Sequence, residues 1–220
     1  MSTVKKFDEF IHLQERELPD FQGKILVIMG PPGSGKGTFS KRLADKEGYN
    51  HISTGDLIRN SKEPELKAKI AKGEYIDDKT MVSMLRKELK KLDPGMGIIF
   101  DGFPRTVKQA GMLDSLLGKM GLGLSHTIYL DLDEKTATER ILSRAEKENR
   151  EDDKDPEVIK KRFQTYTEKT APLIELYQKS RKLKKFDSGV GIDRLYKKIV
   201  NQLDLRKSKS DKPKTDSNTQ

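Results

Sequence analysis

Apolar residues recur along this chain in two rhythms. Ile25-Leu26-Val27-Ile28-Met29, Gly97-Ile98-Ile99-Phe100 and Thr127-Ile128-Tyr129-Leu130-Asp131-Leu132 have the length and continuity of buried strands. Between them, apolar positions fall three or four apart, the spacing of one helix face. Phe39, Leu43 and Ala44 mark a helix after the first strand, and Gly48 stops it. His51-Ile52-Ser53 predicts a short strand. Met81, Leu85, Leu89 and Leu92 predict a helix from Asp77 that Asp93-Pro94-Gly95 ends. A further helix is expected over about 106–118, and Ala137, Ile141 and Ala145 mark the next. Ile159, Phe163, Tyr166, Leu173 and Tyr177 predict a long helix from about 156 to 181, bent or split by Pro172. A strand near 184–187 and a helix carrying Ile192, Leu195, Ile199 and Leu203 follow. Strand and helix thus alternate. The fold class is α/β: a parallel sheet of about five strands between two layers of helices.

Four stretches escape these rhythms. Residues 1–22 hold a short apolar series, Phe7, Phe10, Ile11, Leu13 and Leu18, and read as an N-terminal extension. Residues 60–80 are polar and predict one or two short helices with a turn. Residues 146–156 are highly charged, hold no apolar residue, and predict an exposed flap. From Arg206 to the end there is again no apolar residue, and the composition predicts a disordered basic tail over 206–220.

Composition narrows the partners. Of 220 residues, 33 % are apolar and 36 % charged, with a net charge of +9. That balance is compatible with any polyanion, including a nucleotide, a nucleic acid or an anionic membrane. Aromatic content is only 6 %, and no stacking motif is present, which argues against a nucleic-acid-binding role. There are no cysteines, so disulfides and thiolate metal sites are excluded. No run of about eighteen apolar residues exists, so no membrane helix is expected. The acidic N-terminus lacks the apolar core of a secretion signal. A cytoplasmic location is expected.

The densest chemistry lies at Gly30-Pro31-Pro32-Gly33-Ser34-Gly35-Lys36-Gly37-Thr38, between the first strand and its helix. Strand, glycine-rich turn and helix form a phosphate-binding loop. Backbone N–H groups and the positive end of the helix converge on an anion. Lys36 adds a mobile positive charge and is expected to face solvent in the empty protein. Thr38 offers a hydroxyl to Mg²⁺, one residue later than in the common spelling, because Gly37 intervenes. The loop implies a nucleoside triphosphate and leaves the phosphoryl acceptor open.

Other residues address the acceptor. Asp101 ends an apolar strand, where an acid beside the loop holds Mg²⁺ through water. It is followed by Gly102-Phe103-Pro104-Arg105-Thr106. Arg59 follows Ser53-Thr54-Gly55-Asp56. Arg140 and Arg144 are four apart and share a helix face. Arg150 and Arg162 lie in and after the charged flap. Arginine forks suit the clamping of several phosphates and the charge of a phosphoryl-transfer transition state. An ionised phosphate acceptor needs no general base. His12, His51 and His126 are read as structural.

Taken together, the motifs GPPGSGKGT, STGDLIR, DGFPRT with Gln109, and the arginine series to KKRFQTY resemble the adenylate kinases of the nucleoside monophosphate kinase family over about residues 25–203. The resemblance implies a P-loop NTPase-like core over 23–205, an AMP-binding helical insertion over 54–83 and a short lid over 144–155. It implies ATP and AMP as substrates, two ADP as product, and Mg²⁺ with ATP, without zinc. Gly33, Ser34, Gly35, Lys36, Gly37, Thr38, Arg140, Arg144 and Val190 match ATP-contacting positions. Thr54, Arg59, Ile76, Gly102, Arg105, Gln109, Arg150 and Arg162 match AMP-contacting ones. Lys36, Arg105, Arg140, Arg150 and Arg162 match the catalytic set, and Asp152 and Asp153 match an acidic pair beside the lid arginine. Thr54 and Gln109 take the form found in AMP-specific relatives, and a glutamine amide fits the N6/N1 edge of adenine. The chain departs from the family at Glu148-Asn149-Arg150. It departs again at Gly73-Glu74-Tyr75-Ile76-Asp77-Asp78, which lacks the usual proline. A monomer is expected, with no membrane or nucleic-acid partner.

Overall fold

The computed structural model describes residues 21–148 and 153–206. Five strands form one sheet: β1 (Ile25–Met29), β2 (Asn50–Ser53), β3 (Ile98–Asp101), β4 (Leu124–Asp131) and β5 (Leu183–Asp187). Every pairing is parallel, in the order β2-β3-β1-β4-β5. The chain leaves β1 toward one edge, returns through β3, and then crosses to β4 on the other side. The crevice of such a sheet opens at the carboxyl ends of the strands beside β1. Register brings those ends level, because both Ile28 of β1 and Ser53 of β2 pair with Asp101 of β3.

All five residues of β1 are buried, and their alternation divides the core. Ile25, Val27 and Met29 face one helical layer. It contains Leu85 and Leu89 of α4 (Asp78–Leu89), Leu113 and Leu117 of α5 (Val107–Lys119), and Leu173 and Tyr177 of α8 (Pro172–Lys179). Leu26 and Ile28 face the other, with Phe39 and Leu43 of α1 (Lys36–Glu47) and Leu195 and Ile199 of α9 (Ile192–Leu203). The three-layer architecture expected from the apolar pattern is the one observed. Ala137 and Ile141 of α6 (Glu134–Glu148) pack on Ile159 and Phe163 of α7 (Pro156–Thr165) in a separate small cluster.

Four boundaries differ from the apolar rhythm. β4 begins at Leu124, three residues early, where Ser125 substitutes for a ladder partner by accepting from the Ile25 N–H at 3.1 Å. The expected long helix is three pieces: α7, a wide π-type turn over Tyr166–Thr170, and α8. Pro172 offers no N–H and crowds the preceding turn. The Ala171 N–H therefore reaches back five residues to the Tyr166 carbonyl at 2.9 Å. The polar region 60–80 holds one short helix, α3 (Pro64–Ala71), and the motif before it forms another, α2 (Thr54–Arg59). Phe21, assigned above to the extension, is 3 % exposed and packs into the core with Ile25 and Leu89. The rest of the expected extension, and the tail beyond Arg206, lie outside the described residues.

Candidate active site

The loop between β1 and α1 is built from backbone. Gly35 occupies the helix-capping position with φ 88°, a left-handed conformation that a side chain would strain, and it supplies no side-chain cap. The first N–H groups of α1 therefore remain for an anion. Lys36 does not face solvent, contrary to expectation. Its ammonium is half-buried and turned onto the loop, donating to the Gly30 carbonyl at 2.9 Å, the Pro31 carbonyl at 2.8 Å and Ser34 Oγ at 3.3 Å. Burial lowers its pKa to about 7. Asp101 pulls the value up, while Arg105, Arg162 and Arg144 push it further down. A site this short of negative charge favours a polyanion.

Asp101 sits at the end of β3 with its side chain 12 % exposed. Gly37 lies against it: a Cβ there would stand 3.4 Å from Asp101 Oδ2. The intervening glycine of the loop thus leaves space between the carboxylate and the phosphate cradle. Thr38 is exposed and lines the same space. A carboxylate and a hydroxyl are hard oxygen donors, the kind Mg²⁺ prefers. Among the described residues no cluster of three acids or histidines forms a protein cage. Such a set fits an ion that keeps water and takes its remaining ligands from phosphates.

On the β2–β3 side, side chains do the building. Ser53 caps α2 by accepting from the Asp56 N–H at 3.2 Å. Asp56 then holds Arg59 Nη2 at 2.7 Å, directing the guanidinium into the cleft. Burial pushes the Asp56 carboxyl up, but the hydrogen bond and charge of Arg59, with Ser53, outweigh it and hold it below the usual carboxylate range. Thr54 is 1 % exposed and donates to the Asp101 carbonyl at 3.3 Å. Gly102 has φ 82°, and a Cβ on it would stand 2.6 Å from Thr54 Oγ1. Arg105 Nε donates to the Gly102 carbonyl at 2.8 Å. Thr106 caps α5 through the Gln109 N–H, bringing the Gln109 side chain back. Gln109 is buried. Its Oε1 accepts from the Arg105 N–H at 2.8 Å, and its Nε2 donates to Asp78 Oδ1 at 3.0 Å.

On the opposite side, α6 and α7 present three arginines. Arg140 donates to the Ser188 carbonyl at 3.1 Å. Arg144 and Arg162 share one carboxylate: Arg144 Nε donates to Asp153 Oδ2 at 2.7 Å, and Arg162 Nη1 to Asp153 Oδ1. Asp153 is fully buried, while each arginine keeps about a quarter of its side chain exposed, 29 % and 24 %.

All these elements surround one cleft of about 1040 Å³. Pockets for one small ligand run from about 300 to 1,000 Å³, and this cleft stands at the top of that range. Gly33 to Thr38, Arg59, Gly102, Arg105, Arg140, Arg144 and Arg162 all line it. Thr54 and Gln109 lie buried beneath the lining. Ile76 and Val190 do not join it: Ile76 is 5 % exposed within the core, and Val190 is exposed beyond the strand end. Arg150 and Asp152 lie outside the described residues. Three residues were not singled out from the sequence. His51 Nε2 stands 3.4 Å from Asp101 Oδ2, and Tyr75 and Tyr166 line the cleft. The position of His51, two residues before the Thr54 motif on β2, was the only sequence signal for it.

Comparison with known proteins agrees with this geometry. A family model described as adenylate kinase matches residues 28–182. A protein named adenylate kinase from Xanthomonas euvesicatoria pv. vesicatoria is 44 % identical over 184 residues, covering 81 % of this chain and 98 % of its own length. One from Xanthomonas oryzae pv. oryzae is 43 % identical over 184 residues, with the same coverage. Another from Stenotrophomonas maltophilia is 38 % identical over 182 residues, covering 80 % of this chain and 96 % of its own.

Proposed function

We propose that in this chain, which belongs to the adenylate kinase family and transfers a phosphoryl group reversibly between ATP and AMP, the cleft divides this work between two flanks. ATP lies along the loop at 30–38, with its base toward Arg140 and the strand end near Ser188 and Val190. AMP lies under the insertion over 54–83, between Arg59 and Arg105, with its base on the side of Gln109. The observation that carries this reading is the convergence of Lys36, Arg59, Arg105, Arg140, Arg144 and Arg162 on one space from opposite sides.

The chemistry is positioning and charge. An AMP phosphate oxygen, already ionised, attacks the terminal phosphorus of ATP in line with the departing ADP oxygen. Lys36 leaves its loop carbonyls for the phosphate oxygens as charge spreads over them. Arg105 and Arg162 hold the two phosphate groups at attacking distance, and Arg144 and Arg140 steady the donor side. Thr38 and Asp101 would hold Mg²⁺, which would supply positive charge against the phosphate oxygens of ATP. The lid that the resemblance implies over 144–155, of which 149–152 lie outside the described residues, would exclude water, which otherwise competes as acceptor. A cytoplasmic monomer suits a substrate pair of free nucleotides, and no helix among the described residues is long and apolar enough to cross a membrane.

The acceptor assignment rests on Thr54 and Gln109. A coupled assay with AMP, UMP and CMP tests it. AMP is expected to turn over fastest, and equal or faster turnover of a pyrimidine monophosphate overturns it.

A further inference from the structure

The turn Gly73-Glu74-Tyr75-Ile76-Asp77 connects α3 to α4, and Tyr75 is its one aromatic side chain in the cleft. The Arg105 guanidinium lies over its ring, 5.0 Å from the centroid. Its hydroxyl meets Thr170 Oγ1 at 2.8 Å, and Thr170 Oγ1 donates to the Arg105 carbonyl at 3.0 Å. A threonine hydroxyl has one proton, and here it is committed to Arg105. The Tyr75 hydroxyl is therefore the donor in the other bond. The result is a directed relay from Tyr75 through Thr170 to the Arg105 backbone, in which each bond polarises the next. Tyr75 thus holds Arg105 at two places, its main chain through Thr170 and its guanidinium through the ring face.

The π-type turn makes this possible. Widening the helix at Tyr166–Thr170 places Thr170 at the cleft wall, 7 % exposed, where its hydroxyl reaches both partners. Arg105 Nε is already committed to the Gly102 carbonyl. With the ring covering one side, the guanidinium has little freedom left, and its terminal nitrogens are set toward the cleft. Lys169 Nζ stands 5.5 Å from the same ring centroid, so the ring also spaces two cations that would otherwise repel.

We propose that Tyr75 is a positioning residue for the phosphoryl acceptor: with Thr170 it fixes the arginine that receives the AMP phosphate. It also ties the insertion to the core at that point. The inference rests on the assignment of Arg105 to the AMP phosphate. Nothing in it requires Tyr75 to touch the nucleotide.

Steady-state kinetics on the full chain, with AMP and ATP varied separately, test it. Tyr75→Leu is expected to raise the KM for AMP about tenfold while leaving the KM for ATP within about twofold, the size expected for a partly desolvated cation–ring contact. Tyr75→Phe keeps the ring and should restore most of the AMP affinity, to about threefold of the parent. Thr170→Val should match Tyr75→Phe, and the double variant should add little, because both cut the same relay. Melting temperatures within a few degrees of the parent for Tyr75→Phe and Thr170→Val establish that the fold is intact. If Tyr75→Leu leaves the KM for AMP unchanged, or raises both KM values alike, the positioning role is overturned. Arg105→Lys separates this failure from that of the site itself. An Arg105→Lys enzyme with normal AMP kinetics overturns the assignment of the AMP site and the present inference with it. An impaired Arg105→Lys beside a normal Tyr75→Leu overturns the inference alone.

Discussion

The two flanks of the cleft are built on different principles. The donor flank is centred on a loop of contiguous residues whose backbone N–H groups, arranged by glycines and by the start of α1, face the anion, with Lys36, Arg140 and Arg144 added around it. The acceptor flank is assembled from side chains far apart in sequence. Arg105 depends on Gly102 and Gln109 locally, but also on Thr170, sixty-five residues away, and on Tyr75. A backbone cradle tolerates changes in the side chains around it and fails when its own geometry is disturbed. A side-chain network is adjustable at many points, and each adjustment moves the arginine at its centre. Phosphate is common to every triphosphate donor, so a generic backbone cradle serves it. The monophosphate must be selected, and selection needs side chains.

The largest expected effect separates charge from structure on the donor flank. Lys36→Met should lower kcat about 10²–10³-fold, the loss typical of removing one group that stabilises transition-state charge. Its melting temperature should hold or rise, because the ammonium is held in a half-buried place where its charge is disfavoured. Turnover near the parent's would break the comparison at its donor end. An intermediate effect comes from Gly102→Ala on the acceptor flank. The new methyl meets Thr54 Oγ1 at 2.6 Å from a backbone at φ 82°. We expect a loss of about 1–2 kcal/mol in stability from the left-handed conformation alone. The KM for AMP should rise with little change for ATP. A thermal melt and paired KM measurements check both, and an equal rise for ATP would mean that the flanks are not separate units.

The smallest effect is a matter of pH. Asp56 is held below its reference value of 3.8, so its contribution to stability is full above that value and disappears as pH falls through and below it. The carboxylate is 36 % exposed, which limits its worth against Asp56→Asn to less than about 1 kcal/mol at neutral pH. Denaturant melts of both proteins should differ by that amount above pH 5 and converge in acid. A difference that widens in acid would remove Asp56 from the devices that hold Arg59.

What the sequence makes legible follows the same division. β1, the phosphate loop and α1 can be read directly, since strand run, glycines and helix face are contiguous and each rule involved is local. The parallel sheet follows from alternation, though its strand order does not, and the arginines follow from their spacing. The break in the long helix was half visible: Pro172 marks the place, but nothing in the pattern says that the chain widens rather than bends. The direction of Lys36 was misread, because its ammonium folds back onto Gly30, Pro31 and Ser34 of its own loop, which no spacing rule shows. Tyr75 was given no role and His51 was read as structural, because their partners, Arg105 with Thr170 and Asp101, are distant in the chain. Ile76 and Val190 were carried over by resemblance, and neither side chain lines the cleft.

Asp153 has a consequence for turnover. One buried carboxylate occupies Arg144 and Arg162 together, and Lys36, Arg59 and Arg140 likewise rest on oxygens of the protein. A nucleotide that enters therefore shares these cations with, or takes them from, internal partners, and a nucleotide that leaves hands them back. Binding becomes an exchange of acceptors in which little net attraction accumulates in the ground state, however many charges take part. For a reaction that runs in both directions and must release two ADP molecules as readily as it collects ATP and AMP, such an exchange keeps highly charged ligands oriented without trapping them.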